Sequence, residues 1–179
     1  MRTVPSSTKL SKISIPGTHD SISQVTHVSR QLVLGIRFID IVIEIDMSNG
    51  RIFKIHDDNP NQNMSLTDLL NLIKEFLIQF TSEAVILNWK VNDQWAIQNF
   101  KDLDQVFKVY SEEPHNLIYV GTHSNAEYST PTLREVRGKI VLINYKKSLS
   151  TGSKAFNSGL GDEENPKTDE NLVSKSSLW

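Results

Sequence analysis

Apolar residues along the chain alternate between short runs of strand spacing and longer runs of helical spacing. Ser11–Ile15 is a short strand candidate that stops at Pro16-Gly17. Gln24–Leu34 has the spacing of a helix. Ile36–Asp46 (IRFIDIVIEID) is the strongest strand signal, bounded by Gly35 and by Ser48-Asn49-Gly50. Asn-Gly is a hairpin pair, so Arg51–His56 is expected to return as a strand beside it. A polar loop, Asp57–Met64, leads to Ser65 and a helix over Thr67–Phe80, where Leu69, Leu70, Ile73, Phe76 and Leu77 recur at helical spacing. Ala84–Val91 is nearly continuous in apolar residues, as in a parallel strand buried on both faces. A weaker helix over Asp93–Tyr110 stops before Pro114. Strands over Leu117–Val120 and Lys139–Tyr145 then flank a short helix near Leu133–Val136.

This alternation implies an α/β fold with a mostly parallel sheet. About six strands are expected, whereas a closed eight-stranded β/α barrel takes roughly 250 residues. At 179 residues, a barrel built from this sequence would be incomplete, with residues 1–147 supplying its strands and helices. After Lys147 the composition turns to Ser, Gly, Asn, Asp, Glu and Lys, which predicts a polar tail or long loop over 148–179. An open sheet leaves two edges, and exposed edges invite self-association.

Composition narrows the chemistry. Hydrophobic residues make up 38%, enough for a core, and 19 basic against 21 acidic residues leave a net charge of -2. That balance argues against a general nucleic-acid binder. No apolar run reaches the roughly 18–20 residues of a transmembrane segment. The opening MRTVPSSTKLSK lacks the apolar region of a signal peptide, although an exported protein after cleavage would look the same. With no cysteine, thiol nucleophiles and cysteine metal sites are excluded, and a metal would need His and carboxylates. Phosphate-loop, dinucleotide and serine-esterase glycine motifs are missing from the sequence.

The candidate chemistry lies at strand ends. In Ile15-Pro16-Gly17-Thr18-His19-Asp20-Ser21, His19 is a candidate general base and Asp20 a candidate ligand or orienting group. An ordinary Pro-Gly turn with a solvated His-Asp pair would read the same way. Within IRFIDIVIEID, residues 36, 38, 40, 42, 44 and 46 share one face, which reads Ile, Phe, Asp, Val, Glu, Asp. A carboxylate in mid-strand is costly to bury unless paired or ligated, so Asp40 points to function. Asp46 is read as a solvated strand end. His56 ends the next strand, placing two histidines where a base and an acid could act on opposite sides of a phosphate ester. Lys90 ends Ala84–Val91; it suits a phosphate, or is simply a snorkelling strand-end lysine. His27, His115 and His123 fall in helix or loop contexts and are set aside.

LSKISIPGTHDS, QLVLGIRFIDI, the strand ending in His56, EFLIQFTSEAVILNWK and LREVRGKIVLIN occur in that order. From about residue 9 to 146 the chain resembles the X domain of phosphatidylinositol-specific phospholipase C, most closely the bacterial type. The resemblance implies a distorted β/α barrel and cleavage of phosphatidylinositol, or its glycosylated anchors, to diacylglycerol and a cyclic inositol phosphate. It implies that His19 is the general base, His56 the general acid, Asp20 and Asp40 the flanking acids, and Lys90 a pocket lysine. It also implies a phospholipid partner at a membrane surface, a secreted or peripheral location, and no metal cofactor. Val42 departs from the family, which has Arg there in bacterial enzymes and an acidic calcium ligand in eukaryotic ones. His56-Asp57 replaces the usual His-Gly, and the later barrel strands have no counterpart in this sequence.

A pentavalent phosphorane needs positive charge nearby. Lys90 is the first candidate, and calcium or magnesium held by Asp20, Asp40 and Glu44 is the weaker one. Two other functions compete with full activity: a phosphoinositide- or membrane-binding pseudoenzyme, and a metal-dependent glycerophosphodiesterase or sphingomyelinase-D-like enzyme.

Overall fold

The structure is a computed structural model that describes residues 1–22, 26–46, 52–56, 64–91, 100–119 and 130–144. The expected Asn-Gly turn, the loop 57–63 and the polar segment 148–179 lie outside the described residues. Five strands form one sheet: β1 (Gly17–Thr18), β2 (Phe38–Asp46), β3 (Ile52–Ile55), β4 (Val85–Val91) and β5 (Ile140–Asn144). The spatial order is β1-β2-β4-β5, parallel throughout, and β3 pairs antiparallel with β2 as the hairpin expectation requires. The helices are α1 (Val28–Val33), α2 (Leu66–Gln79), α3 (Phe100–Ser111) and α4 (Leu133–Val136).

Period-two alternation on β2 sorts its side chains onto two faces. Ile39, Ile41 and Ile43 are fully buried in a core with Leu87, Trp89, Leu142 and the apolar sides of α1, α2 and α3. Each such side chain contributes about 1.5–3 kcal/mol by leaving water. Helix α2 starts where Ser65 and Asp68 cap each other: the Asp68 N–H donates to Ser65 Oγ (3.1 Å) and the Ser65 N–H to Asp68 Oδ2 (3.2 Å). On the other face, Ile86, Val141 and Ile143 form a second core with Leu10, Leu133 and Val136, against which Ile13, Ile15 and Phe38 pack. This second core is a floor beneath the amino-terminal ends of the strands.

Two expected strands prove different. The chain over Ser11–Ile15 is not in the sheet: Leu10–Lys12 is a single 3-10 turn, and the Leu10 N–H bonds to the Pro131 carbonyl (2.8 Å). Its alternating apolar residues serve the floor instead. Of the expected strand Leu117–Val120, the described residues 117–119 make one bridge, Ile118 to Ile140, while the Leu117 and Ile118 N–H groups turn back to the Tyr110 carbonyl (2.8 and 3.2 Å). The sheet therefore has five described strands rather than six, and among the described residues it does not close on itself.

Several of the sequence motifs meet at the amino-terminal ends of the strands. Arg37 donates to Glu83 Oε2 (2.9 Å) and to the carbonyls of Leu32 (2.5 Å) and Ile36 (2.8 Å), with its guanidinium 4.6 Å from the Phe76 ring centroid. Arg137 donates to the carbonyls of Ser82 (2.6 Å) and Val4 (2.7 Å). Gly138 turns at φ +72 and sends its N–H to the Glu83 carbonyl (2.7 Å). GIRFIDI, Ser-Glu and RGKIVL thus meet around Glu83, at the opposite end of the strands from the histidines.

Candidate active site

The turn after β1 is held before any chemistry is considered. The Ser21 N–H donates to the Asp40 carbonyl (2.8 Å), and the Asp40 N–H donates to Ser21 Oγ (2.9 Å). Gln31 of α1 donates to the carbonyls of Ser21 (2.8 Å) and Thr26 (2.6 Å) and accepts from Thr18 Oγ1 (2.7 Å). Ser21 is fully buried and Gln31 nearly so. Between these anchors, His19 stands out from the carboxyl end of β1, and Asp20 turns the chain at φ 48, a region Asp tolerates better than most residues.

His19 Nδ1 lies 2.6 Å from Asp40 Oδ2. The His19 side chain is 84% exposed and that of Asp40 only 7%, so a buried anchor holds a solvent-facing ring. A carboxylate can only accept, so Nδ1 is the donor and the neutral ring carries its lone pair on Nε2. Asn88 Nδ2 donates to Asp40 Oδ1 (2.7 Å), and Lys90 Nζ lies 3.7 Å from Asp40 Oδ2. Register explains the grouping. Asp40 pairs with Asn88 and Val42 with Lys90, so both β4 residues share the inner face with the β2 carboxylates. Thr18, His19, Phe38, Asp40, Asn88 and Lys90 line an open cavity of about 580 Å³.

His56 belongs to a second group, further along β2. Its N–H donates to the Val42 carbonyl (2.8 Å), which seats it opposite Val42. His56 Nδ1 lies 2.7 Å from Glu44 Oε1. Asp40 and Glu44 are four residues apart, about 13 Å of strand, so the two imidazole–carboxylate pairs share one face of β2 with Val42 between their carboxylates. His56, Glu44 and Asp20 are not among the residues lining the cavity.

The weaker alternative of a cation on Asp20, Asp40 and Glu44 is not gathered here. Asp40 is engaged by His19, Asn88 and Lys90, and Glu44 by His56. Among the described residues no group of three His, Cys, Asp or Glu side chains is placed to hold an ion. His27 and His115 have local contacts: His27 Nδ1 accepts the Ser29 N–H at the start of α1 (3.3 Å), and His115 Nδ1 lies 3.0 Å from Lys74 Nζ. Sequence reasoning missed Asn88, Ser21 and Gln31. Asn88 stands two residues before Lys90 and shares its face, a signal that was available.

A family model, phosphatidylinositol-specific phospholipase C, X domain, matches residues 11–147. The chain belongs to that family. The 1-phosphatidylinositol phosphodiesterase of Listeria monocytogenes is 30% identical over 186 residues, covering 90% of this chain and 54% of that protein. That of Staphylococcus aureus strain Newman is 28% identical over 152 residues, covering 75% of this chain and 46% of its own. The chain therefore spans about half the length of these relatives. Among solved structures, the Listeria phosphatidylinositol-specific phospholipase C superposes with a TM-score of 0.63 at 26% identity, over 88% of this chain and 61% of that one. A Staphylococcus aureus phosphatidylinositol-specific phospholipase C, from work on its membrane binding, gives 0.66 at 25% identity, over 86% and 54%. The five-stranded sheet is thus part of the phospholipase β/α barrel. No helix among the described residues is long and apolar enough to cross a membrane.

Proposed function

We propose that this chain carries acid–base machinery for cleaving phosphatidylinositol, or its glycosylated anchors, to diacylglycerol and a cyclic inositol phosphate. The observation that carries the proposal is the pair of strand-end histidines, each engaged at Nδ1 by a carboxylate from one face of β2. His19 Nε2 takes the proton of the inositol 2-hydroxyl as that oxygen bonds to phosphorus. The phosphorus–oxygen bond to diacylglycerol breaks, and protonated His56 gives its proton to the departing oxygen. Exchange with water then restores both rings. Asp40 orients His19, Asp20 flanks it, and Lys90 supplies positive charge toward the phosphorane where Val42 offers none.

This chemistry needs no bound metal or organic cofactor; calcium or magnesium on acidic side chains is the alternative. The partner is a phospholipid at a membrane surface, the location is secreted or peripheral, and the open sheet edges pair copies of the chain, which sedimentation would show. Release of water-soluble inositol phosphate from phosphatidylinositol vesicles, with and without chelator, tests the proposal. No release by the full chain overturns it. Val42 favours a second function, a lipid-binding module with little turnover, which co-sedimentation with vesicles in the absence of hydrolysis would support.

A further inference from the structure

Glu44 is an inner-face carboxylate of β2 to which the proposed reaction gives no part. Its register partner on β3 is Lys54, the obvious counter-ion, but Lys54 Nζ pairs with Asp46 Oδ2 instead. Glu44 reaches diagonally to His56, 2.7 Å from Nδ1. Diagonal neighbours across an antiparallel pair are within reach of long side chains, and the His56 N–H bond to the Val42 carbonyl fixes the backbone that makes this diagonal. Glu44 and His56 are 42% and 36% exposed, so the pair sits at the rim rather than in the core.

We propose that Glu44 is the positioning residue of the general acid: it accepts the Nδ1 proton of His56 and directs Nε2–H toward the departing oxygen. The inference rests on the reaction proposed above. A carboxylate beside an imidazole favours the protonated ring, the form a general acid needs before each turnover. The arrangement repeats His19–Asp40 two pleat repeats further along β2, with a half-exposed carboxylate in place of a buried one. Among the described residues, Asp40 on β2, Lys90 across Val42 on β4 and the Lys54–Asp46 pair between β3 and β2 are the other charged groups on these strands.

The test compares full-length wild type with Glu44→Ala and Glu44→Gln. In nitrogen NMR of the neutral imidazoles, Glu44→Ala moves His56 from the Nδ1–H toward the Nε2–H tautomer, with His19 unchanged as internal control. Glu44→Gln keeps an acceptor for Nδ1–H and retains the tautomer, so its loss of cleavage is smaller than that of Glu44→Ala. Cleavage of phosphatidylinositol by Glu44→Ala falls about tenfold or more. Cleavage of an inositol phosphodiester with a nitrophenol leaving group, which departs without a proton, falls less than about threefold. An unmoved His56 tautomer, or equal losses on both substrates, overturns the inference. If wild type cleaves neither substrate, the proposed function falls, while the tautomer measurement still decides the Glu44–His56 contact.

Discussion

Ser21 and Asp40 exchange two hydrogen bonds, N–H to carbonyl at 2.8 Å and N–H to Oγ at 2.9 Å. One serine thereby ties the turn that carries His19 to the strand that carries its carboxylate. Ser21→Ala removes the acceptor and leaves the Asp40 N–H buried without it. The expected cost is about 1–3 kcal/mol of folding stability, read by urea denaturation, with a loss of cleavage larger than that of an exposed control such as Ser29→Ala.

Asp40→Asn keeps the shape of the side chain and removes its charge. The amide can present a donor to His19 Nδ1, which favours the wrong tautomer, and Lys90 loses its counter-charge. Cleavage of phosphatidylinositol is expected to fall by roughly 10²–10⁴-fold, with the circular dichroism spectrum retained. A variant within threefold of wild type would show that the His19–Asp40 contact has no part in the chemistry.

Val42 stands in register with Lys90 and opposite His56. Val42→Arg places a guanidinium in that row, where it can meet developing phosphorane charge. Activity on vesicles is expected to rise. A fall would mean that a second cation beside Lys90 disturbs His56 more than it helps the phosphorane.

Gly17 allows β1 to approach Phe38. A Cβ at residue 17 would lie 2.8 Å from Phe38 Cβ and 3.1 Å from the Phe38 carbonyl oxygen. Gly17→Ala should therefore push β1 away from β2, at a cost of roughly 1–3 kcal/mol, and displace the cavity wall formed by Phe38. Thermal denaturation measures the first effect, and the KM for phosphatidylinositol the second.

Burial pushes the Glu83 carboxyl up, but hydrogen bonds from the Met1 ammonium and Arg37 outweigh it and hold the net value below the ordinary 4.5. A carboxylate depressed on folding contributes stability that is complete above its unfolded value. That contribution is lost as pH falls through the lower folded value. Stability should therefore fall on acidification below about pH 4.5. Glu83→Gln should be less stable at neutral pH and should flatten this acid limb, as urea midpoints across pH would show.

The alternation Ile39–Asp40–Ile41–Val42–Ile43–Glu44 made β2 and its two faces legible in the sequence, because one face is fully apolar and buried. His19, Asp40 and Lys90 were legible for the same reason: strand ends and mid-strand charges are conspicuous. The role of Glu44 was not. Its choice of His56 over Lys54 depends on Asp46 claiming the lysine, a three-body matter that strand period does not encode. Ser11–Ile15 failed differently. Its apolar residues Ile13 and Ile15 do become partly buried, but under the sheet, and periodicity records burial without saying which surface provides it.

Val42 breaks the polar face of β2 into two, and this has a consequence for proton traffic. A base and an acid that work in the same turnover must begin it in opposite states of protonation. Were the row between them filled by a carboxylate or a hydroxyl, protons could pass along β2 and equalise the two rings without any bond at phosphorus being broken. An aliphatic side chain neither donates nor accepts. Along β2 it interrupts any relay of side chains, so in the proposed reaction the two imidazoles are joined only through solvent and the substrate.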